Sequence, residues 1–254
     1  MFNEQRKAEI VKLIETEGSV NVADLSVQFK TSKETIRKDL AELERHGVLK
    51  RTHGGAVCLE QEREYPIVVR TIQESEAKRL ICKKAASFVQ DGDTLFVDNS
   101  STMLYLPQYI PANIRLTLLT NSVAFLLETA KIPNHNWLVV SLGGIFNKSN
   151  FSLYGHGALK GGEEYYPNKA FFSCAGISEH NKIADSSLYE IEVKRAMISH
   201  AQESYLLADA SKLKKPGQMY LCGFDEVDYL ITNETDLQKA AFLKEAGIKI
   251  ISAD

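Results

Sequence analysis

Several runs of hydroxyl, amide and carboxylate residues follow short apolar segments after residue 90, and two other turns there contain glycine. In chain order these residues are Asp98-Asn99-Ser100-Ser101-Thr102, Thr120-Asn121-Ser122, Gly143-Gly144, Gly176 and Asp209-Ala210-Ser211-Lys212. Such side chains form hydrogen bonds, and glycine lets a ligand approach the backbone closely. A helix that begins at such a turn adds free backbone N–H groups, which favour phosphate or carboxylate. The pattern therefore predicts binding of a small polyhydroxylated anion.

Lys212 is expected to neutralise that anion, and Asp98 and Asp209 to accept hydrogen bonds from its hydroxyl groups. A structural explanation exists for each position, because Ser, Thr, Asn and Asp are common N-caps of helices. Five polar or glycine-containing turns in equivalent places favour ligand binding over capping alone.

The segments before these turns are expected to be strands of a mostly parallel sheet. The predicted strands are Thr94–Val97, Leu116–Leu119, Trp137–Leu142, Lys169–Ala175, Ser204–Ala208, Tyr229–Thr232 and Ile248–Ile251, with Tyr220–Phe224 as a further candidate. Helical segments separate most of them, for example Val123–Lys131, Leu188–Ala201 and Leu237–Ala246. Alternation of strands and helices predicts a Rossmann-like α/β domain with helices on both faces. In open α/β sheets, ligands bind beyond the carboxyl ends of the strands, where the polar turns lie.

A second group of residues suited to binding lies between residues 19 and 55. Two short apolar-periodic segments flank a polar turn there, and Gly47 and a basic hairpin closed by Gly54-Gly55 follow. The stripe of Ile36, Leu40 and Leu43 turns one helix face inward. A helix-turn-helix with a wing is predicted, and its second helix is expected to enter the major groove of DNA. The predicted DNA contacts are Ser32, Lys33, Glu34, Thr35, Arg37, Lys38, Lys50, Arg51 and His53.

Capping residues support these helices. A first helix over residues 4–17 ends at Gly18, and Asn21 caps a second helix that ends near Lys30. Thr31 or Ser32 caps the third. Net charge does not distinguish a DNA-binding domain from other helical domains here, because residues 1–57 contain ten Lys/Arg and nine Asp/Glu. A three-helix bundle with a solvated charged face is the alternative.

Composition excludes several other classes of protein. The 254 residues carry a net charge of −3 and are 44% hydrophobic, which is ordinary for a globular protein. No apolar run is long enough for a membrane span, and the N-terminus does not resemble a secretory signal, so we expect a cytoplasmic protein. Four separated cysteines and six scattered histidines lack ligand spacing, and neither a metal nor a cofactor is predicted. The Gly155-His156-Gly157 and Gly161-Gly162 groups are interpreted as turns.

The N-terminal residues resemble the DeoR family of bacterial transcription regulators. The family signature, roughly S-x-x-T-I-R-[RK]-D-L-x-x-L-x-x-x-G followed by a basic strand and H-G-G, is matched over a stretch of about 25 consecutive positions. The matching residues are Ser32, Thr35, Ile36, Arg37, Lys38, Asp39, Leu40, Leu43, Gly47, His53, Gly54 and Gly55. This resemblance implies DNA binding through the third helix.

The resemblance continues through the rest of the chain. The sensor domain of this family looks like ribose-5-phosphate isomerase in fold, and its motifs match Asp98 to Thr102, Thr120 to Ser122, Gly143-Gly144, Phe172 to Ile177, Glu190 with Lys194, and Asp209 with Ser211 and Lys212. Arg70 and Lys78 also match family positions. The first motif has Ser100 where the family has glycine. The resemblance thus implies a sugar-phosphate site that includes Glu190 and Lys194.

Together these observations predict a DNA-binding transcription regulator, most readily a repressor of a carbohydrate-utilisation operon. A phosphorylated sugar or sugar derivative would release it from double-stranded operator DNA. We expect a winged-helix domain over residues 1–57, a linker over 58–74, and an effector-binding and oligomerisation domain over 75–254 of a homo-oligomer. Two alternatives are a sugar-phosphate isomerase with an accessory N-terminal module and a protein-binding module.

Overall fold

The chain folds into two compact units that divide after Gln73. The structure is a computed structural model that describes residues 3–59, 65–180 and 182–253. The charged stretch of the predicted linker, residues 60–64, lies outside the described residues. Within the described ranges, no helix has both the length and the apolar character needed to cross a membrane.

The N-terminal unit combines short helices with a three-stranded sheet. Its elements are α1 (Asn3–Glu17), β1 (Ser19–Asn21), α2 (Val22–Gln28), α3 (Lys33–Arg45), β2 (Leu49–Arg51), β3 (Gly55–Cys58) and α4 (Ile67–Ile72). Helix α2 begins where the Asn21 side chain accepts a hydrogen bond from Ala23 N at 2.7 Å. Helix α3 begins where Ser32 Oγ accepts one from Thr35 N at 3.1 Å. Of the two predicted caps for α3, Ser32 is therefore the one that forms.

The apolar faces of these helices meet in one core. Ile36, Leu40 and Leu43 of α3 are fully or almost fully buried there. The sheet order is β1-β3-β2 with antiparallel pairing, so β3 lies between the wing strand β2 and the short strand β1. Helix α4 falls in the segment predicted as a linker, and its Val69, 1% exposed, packs into the same core.

The C-terminal unit alternates strands and helices along most of its length. Its elements are α5 (Ser75–Ala86), β4 (Thr94–Val97), β5 (Leu116–Thr120), α6 (Val123–Thr129), β6 (Trp137–Ser141), β7 (Ile145–Asn147), β8 (Ser152–Tyr154), α7 (His156–Glu163), β9 (Lys169–Phe172), β10 (Gly176–Ser178), β11 (Lys182–Asp185), α8 (Ile191–His200), β12 (Glu203–Leu207), β13 (Met219–Cys222), β14 (Tyr229–Thr232), α9 (Ala241–Glu245) and β15 (Lys249–Ser252). Short 3₁₀ turns occur at Met103–Tyr105, Pro107–Tyr109, Ala210–Lys212, Phe224–Glu226 and Leu237–Ala240.

Seven strands form one parallel sheet in the order β15-β14-β12-β9-β4-β5-β6. Side chains alternate between its two faces. Leu95 and Val97 pack in the cluster that contains Ile81 of α5, whereas Phe96 packs with Val193 of α8. Helices therefore cover both faces, and the predicted α/β fold class is confirmed.

Two predictions about local structure are corrected. Residues around Gly155-His156-Gly157 and Gly161-Gly162 do not form turns alone, because α7 runs through them from His156 to Glu163. Its small residues allow close packing, since a Cβ on Gly161 would lie 2.2 Å from the carbonyl oxygen of Leu142. The candidate strand at Tyr220–Phe224 exists as β13, but it joins the antiparallel sheet β10-β11-β13 and not the large sheet.

Candidate DNA-binding surface and effector site

The polar face of α3 is open to solvent along its first two turns. Lys33, Glu34, Arg37 and Lys38 are exposed, and Thr35 is half-buried. Arg37 Nη1 lies 3.7 Å from Glu34 Oε2, but both side chains are more than half exposed. An exposed pair of this kind contributes little stability, so Arg37 is available for another partner at small cost.

Two acidic residues of α3 that lie off this face, Asp39 and Glu42, are paired with basic residues of α1. Arg6 Nε donates to Asp39 Oδ2 at 2.5 Å and Arg6 Nη2 donates to Asp39 Oδ1 at 3.1 Å. Lys7 Nζ donates to Glu42 Oε1 at 2.7 Å, and this hydrogen bond lowers the pKa of Glu42. These contacts tie α3 to α1 and neutralise carboxylates beneath the basic face. They join residues 33 and 35 positions apart, so the helical periodicity of α3 does not reveal them.

The wing presents a second exposed basic group. Lys50, Arg51 and His53 are all exposed. Arg51 is held back against α3, because its Nε donates to Glu44 Oε2 at 2.7 Å and its backbone N donates to Glu44 Oε1 at 2.9 Å. Both hydrogen bonds lower the pKa of Glu44, and the bond from the Arg51 backbone has the larger effect. Lys50 and His53 have no such restraint in the described residues.

The second candidate site lies at the carboxyl edge of the large sheet. Because the seven strands are parallel, the residues that follow β4, β5, β6, β9 and β12 lie along one edge. All the polar side chains predicted after β4 and β5 are buried: Asp98, Ser100, Ser101, Thr102, Thr120, Asn121 and Ser122. Burial of so many polar groups requires hydrogen-bond partners.

Asp98 and Lys194 form the charged centre of this edge. The Lys194 ammonium lies 2.8 Å from Asp98 Oδ2, donates to Ser173 O at 3.0 Å, and also bonds to Asp185. Asp98 accepts backbone N–H groups from Ser100 and from Ser173, each at 3.0 Å. Burial alone would lower the pKa of Lys194, but the two carboxylates outweigh it and the pKa is raised. Lys194 is therefore a permanent cation held by two acids.

Several of the predicted effector residues have bonds that organise the fold. Thr120 Oγ1 donates to Val97 O at 2.7 Å, and Ser122 Oγ accepts from Phe125 N at 3.1 Å as the cap of α6. Ser101 Oγ accepts from Lys78 Nζ at 3.2 Å. Thr102 supplies its carbonyl oxygen to the Cys82 thiol. The capping explanation accordingly accounts for the hydroxyl group of Ser122.

Four buried polar atoms at this edge have no hydrogen-bond partner among the described residues. They are Asn99 Oδ1, Ser100 Oγ, Asn121 Oδ1 and Glu190 Oε2. A buried polar atom without a partner is unfavourable, and sites that receive a ligand are one place where such atoms occur. Asn99 lies in the polar run predicted after β4, but the sequence alone does not show that its side-chain oxygen is left without a partner.

The remaining predicted residues divide between the site and the scaffold. Gly143 and Gly144 have φ values of +74° and +111°, which favour glycine. Gly176 lies in β10, and a Cβ there would lie 2.3 Å from Lys215 O, so packing explains it. The Asp209 side chain accepts from Ser211 N at 3.0 Å as a turn cap. Lys212 is half-buried beside it and forms no ion pair within the described ranges.

Models of known protein families match both units of the chain. A model of the DeoR-like helix-turn-helix domain matches residues 6–62, and a model of the DeoR C-terminal sensor domain matches residues 73–234. The uncharacterized HTH-type transcriptional regulator YulB of Bacillus subtilis is 33% identical over 98% of this chain and 96% of its own. The lactose phosphotransferase system repressor of Staphylococcus epidermidis is 31% identical over 97% of this chain and 98% of its own.

Among solved structures, ribose 5-phosphate isomerase A of Methanocaldococcus jannaschii aligns with this chain at a TM-score of 0.40 and 16% identity, over 56% of each chain. A winged helix with an open basic face, followed by an α/β unit with a buried polar edge, defines a transcription regulator with a sensor domain. The family models and the relatives identify it further: the chain belongs to the DeoR family of transcriptional regulators.

Proposed function

We propose that this regulator represses a carbohydrate operon by binding operator DNA through α3 and the wing. The observation that carries the DNA contact is the arrangement of charge around α3. Lys33, Arg37 and Lys38 face solvent, whereas Asp39 and Glu42 are bonded to α1. The chain as a whole is acidic, so this local arrangement supplies the positive surface that phosphate groups require. The name of the S. epidermidis relative supports the choice of repression.

We propose that the effector is a phosphorylated sugar bound at the carboxyl edge of the sheet. Its hydroxyl groups would donate to the free oxygens of Asn99, Asn121 and Glu190. Its phosphate would pair with Lys212, which forms no ion pair in the described part of the chain. The phosphotransferase system in the name of the relative agrees with a phosphorylated carbohydrate as signal.

Operator binding further requires self-association in this proposal. Two copies related by a two-fold axis would place two α3 helices in successive major grooves, about 34–36 Å apart. The effector would favour an arrangement of the copies in which this spacing is lost. A coupling of about 1–3 kcal/mol changes operator affinity by roughly 5–150-fold.

The DNA contact is tested by fluorescence anisotropy with a labelled duplex taken from upstream of the regulator's own gene. We expect saturable binding whose logarithmic affinity falls linearly with the logarithm of salt concentration, because phosphate contacts release counterions. An Arg37→Ala variant should bind more weakly, and Lys131→Ala, at an exposed lysine of the C-terminal unit, is the matched control. Equal binding by all three proteins would contradict the assignment of α3.

The isomerase alternative has one observation in its favour, the free oxygen of Glu190, which has the chemistry of a general base. It is tested by incubating the pure chain with ribose 5-phosphate or glucose 6-phosphate and following the sugars by NMR. We expect binding without conversion. Formation of the corresponding ketose phosphate would establish an enzyme.

A further inference from the structure

The carboxylate of Glu190 is held on one side only. Glu190 stands directly before α8 and is 1% exposed. Its Oε1 accepts hydrogen bonds from Asn147 Nδ2, at 2.8 Å, and from Ser152 Oγ. Its Oε2 is equally buried and has no partner in the parts of the chain that the structure describes. Two donors thus fix the carboxylate and leave one oxygen for a further donor.

Both of those donors come from the hairpin formed by β7 and β8. Asn147 ends β7, and its orientation is fixed because its Oδ1 accepts from Ser149 N at 3.0 Å, which turns Nδ2 toward Glu190. Ser152 begins β8 and forms an isolated bridge with Ser122, which lies in the turn after β5 and caps α6. The hairpin therefore connects Glu190 to the polar turn after β5.

A second free acceptor is bonded to the same hairpin. Asn121 Nδ2 donates to Leu153 O at 3.1 Å, which assigns Oδ1 as the atom without a partner. Leu153 N in turn donates to Asn121 O at 2.7 Å. Asn121 and Glu190 are thus bonded to neighbouring residues of β8, and each retains one buried oxygen. Both oxygens accept hydrogen bonds and neither can donate one.

We propose that the hairpin Ile145–Tyr154 is the specificity element of the effector site and builds a subsite for hydroxyl groups of the sugar. Hydroxyl groups supply the donors that Glu190 Oε2 and Asn121 Oδ1 require. A phosphate would be repelled by the carboxylate, so it lies elsewhere in the site. Asn147 and Ser152 are positioning residues that act through Glu190. This inference rests on the proposed function, because it assumes a sugar phosphate as effector.

The experiment measures ligand binding to the intact chain by isothermal titration calorimetry. Glucose 6-phosphate, fructose 6-phosphate, galactose 6-phosphate and ribose 5-phosphate are titrated first, followed by deoxy analogues of the tightest ligand and by inorganic phosphate. The variants are Asn147→Ala, Ser152→Ala and Glu190→Gln. Lys131→Ala, at an exposed lysine of the same unit outside the hairpin, is the matched control.

We expect the tightest sugar phosphate to bind the three variants about tenfold or more weakly than the wild type, as loss of a hydrogen bond to a charged group predicts. Removing the recognised hydroxyl should weaken binding to the wild type by a similar factor, and this penalty should shrink in Glu190→Gln and Asn147→Ala. A loss of general stability would not produce that selective change. Binding of inorganic phosphate to the variants, and binding of the sugar phosphate to Lys131→Ala, should not change.

The results that would overturn the hairpin inference differ from the result that would overturn the proposed function. If the wild type binds a sugar phosphate and the Asn147 and Ser152 variants bind it equally well, the hairpin is not a specificity element, while the proposed function stands. The same conclusion follows if the deoxy penalty is unchanged in Glu190→Gln. If the wild type binds none of the sugar phosphates, the proposed effector class itself is wrong, and the hairpin inference is overturned with it.

Discussion

The pair of Arg6 and Asp39 predicts how strongly α3 depends on α1. Two hydrogen bonds, at 2.5 and 3.1 Å, connect side chains that are only 10% and 5% exposed. Breaking a buried pair by removing one partner costs about 3–5 kcal/mol. Arg6 keeps a hydrogen bond to Asn3 at 3.2 Å and some access to water, so we expect about 3 kcal/mol for Asp39→Ala.

Hydrogen exchange followed by mass spectrometry is the suitable assay. The one tryptophan of the chain lies in the C-terminal unit, so its fluorescence does not report on α3. A loss of 3 kcal/mol should raise the exchange rate of the most protected α3 amides by about 100-fold. Peptides from the central strand β9 are the internal control. The Asp39→Ala change made in an Arg6→Met background should cost much less, because no charge is left unpaired.

Exchange rates in α3 that differ less than about threefold between wild type and Asp39→Ala would refute this reasoning. So would an equal effect of Asp39→Ala in the presence and in the absence of Arg6. In either case the basic face of α3 would be positioned by its apolar stripe alone.

Three further predictions concern the winged helix and the effector site. Arg37→Ala should weaken operator binding by about 5–150-fold if Arg37 contacts a base, with an unchanged melting temperature, and an unchanged gel-shift titration would exclude that contact. The pKa of Glu44, measured by NMR, should lie below its ordinary value of about 4.3 and return toward that value in Arg51→Ala. The stability that this pair contributes is therefore present above about pH 4.3 and is lost as the pH falls through the lowered pKa. Lys212→Ala should bind operator DNA normally but resist release by sugar phosphate, and normal release would place the phosphate elsewhere.

The sequence predicted the parts of the fold that depend on local patterns. The stripe of Ile36, Leu40 and Leu43 and the caps at Asn21 and Ser32 define α2 and α3 from residues within two turns of each other. The strands of the large sheet were predicted in nearly their observed places because each is a short apolar run followed by a polar turn. Parallel order then follows from alternation with helices.

Features that depend on distant residues were not predictable. Strand β1 is three residues long and exists because it pairs with β3 more than thirty residues away. The Gly155-His156-Gly157 and Gly161-Gly162 groups were interpreted as turns, but α7 runs through them although glycine disfavours helices, because Gly161 and Gly162 lie close against Leu142 and Met197. Tertiary packing overrides the local preference in both cases.

The same distinction applies to the candidate effector site. The sequence indicates which polar residues follow the strands. It does not indicate which of their atoms lack a hydrogen-bond partner, because the partners lie far away along the chain. Glu190 is oriented by Asn147 across 43 positions, and Asp98 is bonded to Ser173 across 75. Gly176 looked like a ligand-binding glycine, yet the approach of Lys215 explains it. Whether each of these residues contacts the effector stays a prediction.

The central claim is that a ligand at the carboxyl edge of the large sheet controls how tightly α3 binds DNA. The most direct test is the operator affinity of the intact chain, measured by anisotropy at fixed salt with and without a saturating sugar phosphate. We predict that the sugar phosphate raises the dissociation constant by roughly 5–150-fold in the wild type and has no effect in Lys212→Ala. An operator affinity that stays the same with every sugar phosphate that calorimetry shows to bind would contradict the account.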